Sequence, residues 1–167
     1  WIDWDGDQLP VGFRAERQGI AIGYFRGRLK WLDGRIANCT QRLKQQPDNA
    51  QITDELARAE AAAAFLKQEL ARRVPVWHAT LRETEKNGHD EKTRTQAYTT
   101  LMNEAWDGMK LQQRVDALAR IVDNKFNDHN TRRDAARRMS NLHITSEGTN
   151  WNAVAESVVR NIGAGDW

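Results

Sequence analysis

The sequence is poor in the residues that cross-link or interrupt a chain. It has one cysteine, Cys39, so no intramolecular disulfide can form and a reducing compartment is expected. Only three prolines occur, of which Pro47 predicts a helix end and Pro75 a kink or break. No apolar run approaches the ~20 residues that a membrane-spanning helix needs, so we expect no membrane partner.

Motifs of enzyme and cofactor sites are also missing. There is no phosphate-binding loop, no dinucleotide-binding glycine pattern and no nucleophile elbow. The four histidines are scattered, without a His or Cys pair at the spacing of a zinc site. Carboxylate pairs that could act as acid and base occur, as on any helical surface, so an enzyme stays open as the lesser alternative.

One acidic segment near the start of the chain bears on metal binding. Asp3, Asp5 and Asp7 copy the first half of a calcium loop. Gln8 stands where the sharp turn of that loop needs glycine, and Arg14 where its bidentate glutamate belongs. We therefore expect an acidic turn, and the chain is predicted to have no catalytic residue, no cofactor and no metal ion.

What the sequence does contain is two apolar stripes with alternating intervals of four and three residues. This interval is the heptad signature, which places each stripe on one side of an α-helix. The helical hairpin interface is predicted to consist of Phe25, Leu29, Leu32, Ile36 and Leu43 on the first helix, with Cys39 in the same stripe, and of Ile52, Leu56, Ala63, Leu66 and Leu70 on the second, with Ala59.

The segment between the two stripes predicts how the helices are connected. Residues 45–49 are too few for anything but an antiparallel return. Pro47 cannot continue the first helix, and Asp48 with Gln51 three residues later predicts an N-cap and capping box for the second. The sequence thus predicts an antiparallel helical hairpin.

Residues 19–27 allow two interpretations. Gly19, Gly23 and Gly27 recur every four residues, which on a helix lines one side with small residues and lets another helix approach closely. In a strand, Ile20 and Tyr24 would lie on one face and Gly27 would belong to a hairpin turn. We favour the helix, because the apolar stripe continues through this segment.

The rest of the chain is predicted to be helical. Asp90 can cap a third helix, whose apolar stripe slips beside Gly108 and indicates a stagger or bend. A fourth helix starts at Asn130 or Thr131 and ends near Leu142, and a fifth runs from about Thr149 or Asn150 to Gly163.

These elements give one fold class and four segments. The predicted class is all-α: an antiparallel helical hairpin or coiled coil with a helical bundle, preceded by a short irregular or β-like lead. The segments are the lead at 1–18, the hairpin at 19–88, the C-terminal helices at 89–163 and a tail at 164–167.

Charge is nearly balanced over the whole chain but not locally. Lys and Arg number 25 against 23 Asp and Glu. From Lys110 to Ser140 eight basic residues face four acidic ones, and a cluster there could contact phosphates: Arg132, Arg133, Arg137 and Arg138. A solvated helix surface is the simpler interpretation. Nucleic acid is therefore a possible partner.

Seven tryptophans are many for a chain of this length. Trp1, Trp4, Trp151 and Trp167 lie near its ends, where they could close the base of the hairpin or bury against a partner. Together with the paired stripes, they favour a protein that acts through protein association or self-assembly.

The segment Trp4–Gly12, with the acidic Glu16 after it, resembles an opening found in many accessory proteins of tailed bacteriophages, in which Trp, Gly, Pro and Gly occur at similar spacing. The resemblance implies phage origin, and hence a place in the cytoplasm of a bacterial host cell or in the virion. It implies no catalytic residue.

Overall fold

The computed structural model describes residues 9–144, and every regular element in that range is helical. The helices are α1 (Val11–Gln45), α2 (Ala50–Asn87), α3 (Glu91–Ala105), α4 (Leu111–Asp123) and α5 (His129–Ile144), with a 3-10 turn at Trp106–Gly108. The all-α prediction is confirmed. So is the helical interpretation of residues 19–27, which lie inside α1.

Helices α1 and α2 pack along the predicted apolar stripes. Leu32, Ala59, Ala63 and Leu66 form one buried cluster, with Phe25, Leu29 and Ile36 packed against it. Ile52 and Cys39 are also buried, and Leu43, Leu56 and Leu70 are half-buried. Every member of the predicted hairpin interface is therefore at least half withdrawn from solvent. We call the residues of this predicted interface, together with Cys39 and Ala59, the hairpin seam.

Polar contacts show that the two helices run in opposite directions. The Arg35 guanidinium lies 2.9 Å from the Glu55 carboxylate near the turn. Near the open end, the Trp77 indole N–H donates to the Ala15 carbonyl oxygen at 3.0 Å. A residue early in α1 therefore meets one late in α2, as an antiparallel return requires.

The single cysteine lies inside the hairpin. Burial, and then the nearby charge of Glu55, raises the pKa of the Cys39 thiol.

The hairpin extends further towards the amino terminus than predicted. Helix α1 begins at Val11, directly after Pro10, whereas the sequence placed the irregular lead at 1–18. Ala15, Gln18 and Ile22 are buried and continue the same spacing. The glycines and the single proline of this segment obscured the continuation. The lead therefore ends earlier than predicted.

The turn has a different cap from the predicted one. Asn49, not Asp48, caps α2: its side-chain oxygen accepts a hydrogen bond from the Ile52 amide at 3.2 Å. Asp48 is one residue too early for that geometry. Pro75 does not break α2, which continues to Asn87. Gly88 then ends the helix, as predicted, with its amide 2.8 Å from the Thr84 carbonyl oxygen.

The chain divides into two compact units, the first ending at Thr80 and the second beginning at Leu81. This division falls inside α2, whereas the sequence placed a boundary after Gly88. The second unit has its own core between α3, α4 and α5, which includes Met102, Leu118 and Met139. The slip predicted beside Gly108 corresponds to the 3-10 turn between α3 and α4.

Two short side chains cap the amino ends of α3 and α5 in the second unit. Asp90 accepts a hydrogen bond from the Thr93 amide at 2.7 Å, which confirms the predicted cap of α3. Asp128 accepts from the Thr131 amide at 3.0 Å, so α5 begins at His129, slightly before the predicted start. Hydrogen bonds from these threonines hold the pKa of both carboxyls below its usual value.

Some predictions fall outside the described residues. They are the helix expected at about 149–163, the tail at 164–167 and the four terminal tryptophans. Within the described range, no helix is both long and apolar enough to cross a membrane.

Candidate interaction surface

Large apolar side chains are exposed along α1. Phe13 is 53% exposed, Ile20 62%, Tyr24 68% and Trp31 46%. They belong to a second series with alternating intervals of four and three residues, which we call the outer stripe: Phe13, Arg17, Ile20, Tyr24, Gly27, Trp31 and Gly34. Because successive helical residues are about 100° apart, the outer stripe lies roughly 160° from the hairpin seam. Helix α1 is thus apolar on two opposite sides.

The glycines of α1 differ in their surroundings. A Cβ atom added at Gly19 would lie 3.2 Å from the Trp77 ring, closer than ordinary van der Waals contact, so the ring would have to shift to accept a larger residue there. A Cβ added at Gly23, Gly27 or Gly34 would meet nothing within 4 Å. A glycine inside a helix costs roughly 0.5–1 kcal/mol relative to alanine. Packing within the described part of the chain does not explain why Gly23, Gly27 and Gly34 are glycine.

Replacing the three open glycines together by alanine is therefore expected to stabilise the first unit. The triple variant Gly23→Ala, Gly27→Ala and Gly34→Ala should gain roughly 1.5–3 kcal/mol, because each substitution restricts the unfolded chain and meets open space in the folded one. Urea titration followed by circular dichroism measures the gain.

A matched control is Gly88→Ala, whose added Cβ would lie 2.7 Å from the Thr84 carbonyl oxygen. That variant should lose stability. A loss in the triple variant as well would show that the three glycines are needed by the fold itself.

The outer stripe is bordered mainly by positive charge. Arg17 lies in it, and Arg28, Lys30 and Arg35 lie along its edges, whereas Glu16 is the acidic residue on the same side. All five are exposed. The Arg28 guanidinium lies 4.0 Å from the centre of the Trp31 ring and that of Arg35 lies 5.2 Å from it. Such cation–π contacts hold the charges at the edge of the apolar surface.

The arginines predicted to contact phosphates have mixed surroundings. Arg132 donates from Nε to the Val122 carbonyl oxygen at 2.9 Å and so closes the end of α4. Arg138 donates to the Asn103 side chain at 2.9 Å and lies over the Trp106 ring. Two of the four predicted arginines therefore hold the second unit together.

The other two arginines of that cluster are exposed. Arg137 pairs with Asp134 at 2.8 Å, and Arg133 faces solvent. Nucleic-acid binding at α5 stays a prediction, resting on fewer available groups than the sequence indicated.

Two concave sites are found among the described residues of the second unit, one small and one open. A cavity of about 70 Å³ is lined by Glu85, Tyr98, Arg120 and neighbours, and Arg120 is paired with Glu85 at 3.0 Å. Burial raises the pKa of Tyr98. An open groove of about 340 Å³ lies between α3 and α5. Residues 9–144 bring together no group of three side chains able to hold a metal ion.

Comparisons with protein-family models, with curated proteins and with solved structures find no significant match to this chain. The function must therefore be inferred from the surfaces of the chain itself. Among the described helices, α1 carries the largest number of exposed large apolar side chains, and they lie on the outer stripe.

Proposed function

We propose that the protein acts without catalysis, by binding an α-helix of a protein partner along the outer stripe of α1. The observation that supports this is the heptad repetition of exposed apolar residues opposite the hairpin seam. Isolated exposed apolar residues are ordinary, but a row with helical spacing is the pattern by which one helix recognises another. Tyr24 and Trp31 are the residue types that most often anchor interfaces.

The open glycines fit the same function. A partner helix can approach α1 closely at Gly23, Gly27 and Gly34, because no side chain stands between the two backbones there. The free energy that these glycines cost inside a helix is then offset by the close contact with the partner that they permit. The hairpin would serve as a rigid support, because its own seam holds α1 in place.

We further propose that this association belongs to a component of a tailed bacteriophage, acting in the bacterial host cell or in the virion. The support is the resemblance of residues 4–12 to the opening of phage accessory proteins, of which residues 4–8 lie outside the described range.

Site-specific cross-linking tests the association. The full chain is produced in its native host with p-azidophenylalanine in place of Tyr24, a near-isosteric change on the outer stripe. The matched control carries the same group in place of Phe65, an exposed aromatic residue on α2. We expect a polypeptide adduct from position 24 and little from position 65. The adduct at 24 should disappear when Trp31→Glu is added.

An adduct of equal yield at both positions, or none at position 24, would contradict the proposed function. Circular dichroism of each variant checks that the helices are intact. Because residues 24, 31 and 65 are all exposed, none of these changes should disturb the seam.

A further inference from the structure

We infer that the partner of the outer stripe is an amphipathic helix whose apolar side is flanked by glutamate or aspartate. This inference rests on the proposed function and adds the chemistry of the partner. It follows from the charges that border the stripe and from the shape of its centre.

The centre of the stripe alternates large side chains with gaps. Tyr24 and Trp31 project from α1, and Gly27 between them leaves open space in which an added Cβ meets nothing within 4 Å. Gly34 repeats the gap one turn after Trp31. A helix that carries leucine-sized side chains at heptad spacing can place them over these gaps, as knobs enter holes in a coiled coil.

The edges of the stripe select the charge of that helix. Arg17, Arg28 and Lys30 are exposed, and Glu16 is the acidic side chain among them. Residues beside an apolar seam pair with oppositely charged residues of the facing helix, and these pairs determine partner and orientation more than affinity. A basic border therefore favours an acidic one.

A second copy of this chain fits the same surface poorly. One edge of the stripe carries Arg14, Arg28 and Arg35, of which Arg35 is paired with Glu55 at 2.9 Å, and the other carries Glu16 and Lys30. An antiparallel pair of copies would place the arginine edge against itself. A parallel pair would place Lys30 beside Arg35 of the other copy. In both orientations like charges outnumber unlike ones, because Glu16 is the one acidic residue on either edge, and this disfavours pairing.

A nucleic acid fits less well than a helix. Single strands bind to proteins by stacking bases on aromatic rings, but the Trp31 ring already has guanidinium groups over it at 4.0 and 5.2 Å. Ile20 offers no ring, and the open glycines offer no donor except backbone groups already used by the helix. The heptad spacing of the stripe matches another helix.

Fluorescence anisotropy with the full chain tests the inference. The first probe is a labelled synthetic peptide, helical and amphipathic, with leucine and alanine on its apolar side and glutamate on both flanks. The second is the same peptide with lysine in place of every glutamate. A labelled single-stranded DNA is the third, and light scattering of the unlabelled chain measures self-association.

We expect the glutamate peptide to bind about tenfold more tightly than the lysine peptide, as for about three exposed ion pairs, with a preference that shrinks as salt is added. The charge-reversed variant Arg17→Glu, Arg28→Glu and Lys30→Glu should prefer the lysine peptide. A reversal of preference cannot arise from misfolding, and circular dichroism confirms the helices.

Other outcomes overturn the inference. Equal binding of both peptides, or binding of neither, removes the acidic partner, whereas the proposed association is judged separately by the adduct at position 24. A dimer that Trp31→Glu dissociates would assign the stripe to a second copy. DNA binding that the charge-reversed variant abolishes would assign it to nucleic acid.

Discussion

Replacing Leu32 by aspartate should unfold much of the hairpin. Leu32 is 4% exposed and lies in the cluster formed with Ala59, Ala63 and Leu66. The substitution removes an apolar side chain from the seam and places an unpaired carboxylate there, at a cost of about 3 kcal/mol or more in unfolding free energy. Thermal melts followed by circular dichroism should show a much lower transition for the first unit.

The control for this prediction is Gln41→Asp, in the same helix. Gln41 is exposed, so the new carboxylate stays in water and the unfolding free energy should change by less than ~1 kcal/mol. Equal melting temperatures for the two variants would show that the stripe through Leu32 is not what holds α1 against α2.

Replacing Trp77 by alanine should have a comparable effect at the open end of the hairpin. Trp77 is 6% exposed, and its indole N–H donates to the Ala15 carbonyl oxygen at 3.0 Å. Its ring also fills the space beside Gly19. Truncation of a buried tryptophan leaves a cavity and costs about 3–5 kcal/mol. The unfolding free energy can be measured by denaturant titration.

A second substitution at this position separates packing from hydrogen bonding. Trp77→Phe keeps much of the ring and removes the N–H donor, so it should lose less than Trp77→Ala, with about 1 kcal/mol assigned to the hydrogen bond. Trp31→Ala is the control, because Trp31 lies on the exposed side of α1. If Trp31→Ala and Trp77→Ala cost the same, Trp77 does not close the hairpin.

The hairpin could be predicted because a buried stripe is a periodic property of one helix. The spacing of Leu29, Leu32 and Ile36 is enough to predict that they lie on one side of the helix. The cap at Asp90 was equally accessible, since a capping side chain bonds within three residues. The cap at the turn was misplaced by one residue because Asp48 and Asn49 have the same capping chemistry, and only backbone geometry distinguishes them.

The outer stripe is harder to recognise in the sequence because the hairpin seam on the opposite side of α1 partly cancels its amphipathic pattern. Apolar residues on two opposite sides of α1 make the helix look less amphipathic than either side is alone. Gly27 and Arg17 interrupt the row, and Ile20 with Tyr24 also suits a strand. The same interval of four and three residues, read in a second phase beginning at Phe13, would have found it.

The roles of the arginines could not be predicted from sequence. Arg132 and Arg138 look like Arg133 in a list of charges. Arg132 and Arg138 differ from Arg133 in the contacts that they make with other helices, to Val122, 10 residues away in the chain, and to Asn103, 35 residues away. Long-range partners of long side chains have no periodic signature.

The two sides of α1 restrict how this protein can change in length. A single inserted residue would turn everything beyond it by about 100°, so the hairpin seam and the outer stripe would both lose their alignment. An insertion or deletion of seven residues keeps both rows continuous, within the small drift of a straight helix. Such a change in α1 must be matched in α2, because Trp77 meets the Ala15 carbonyl at the far end. Related chains of different length are therefore expected to differ by whole heptads, removed or added in both arms together.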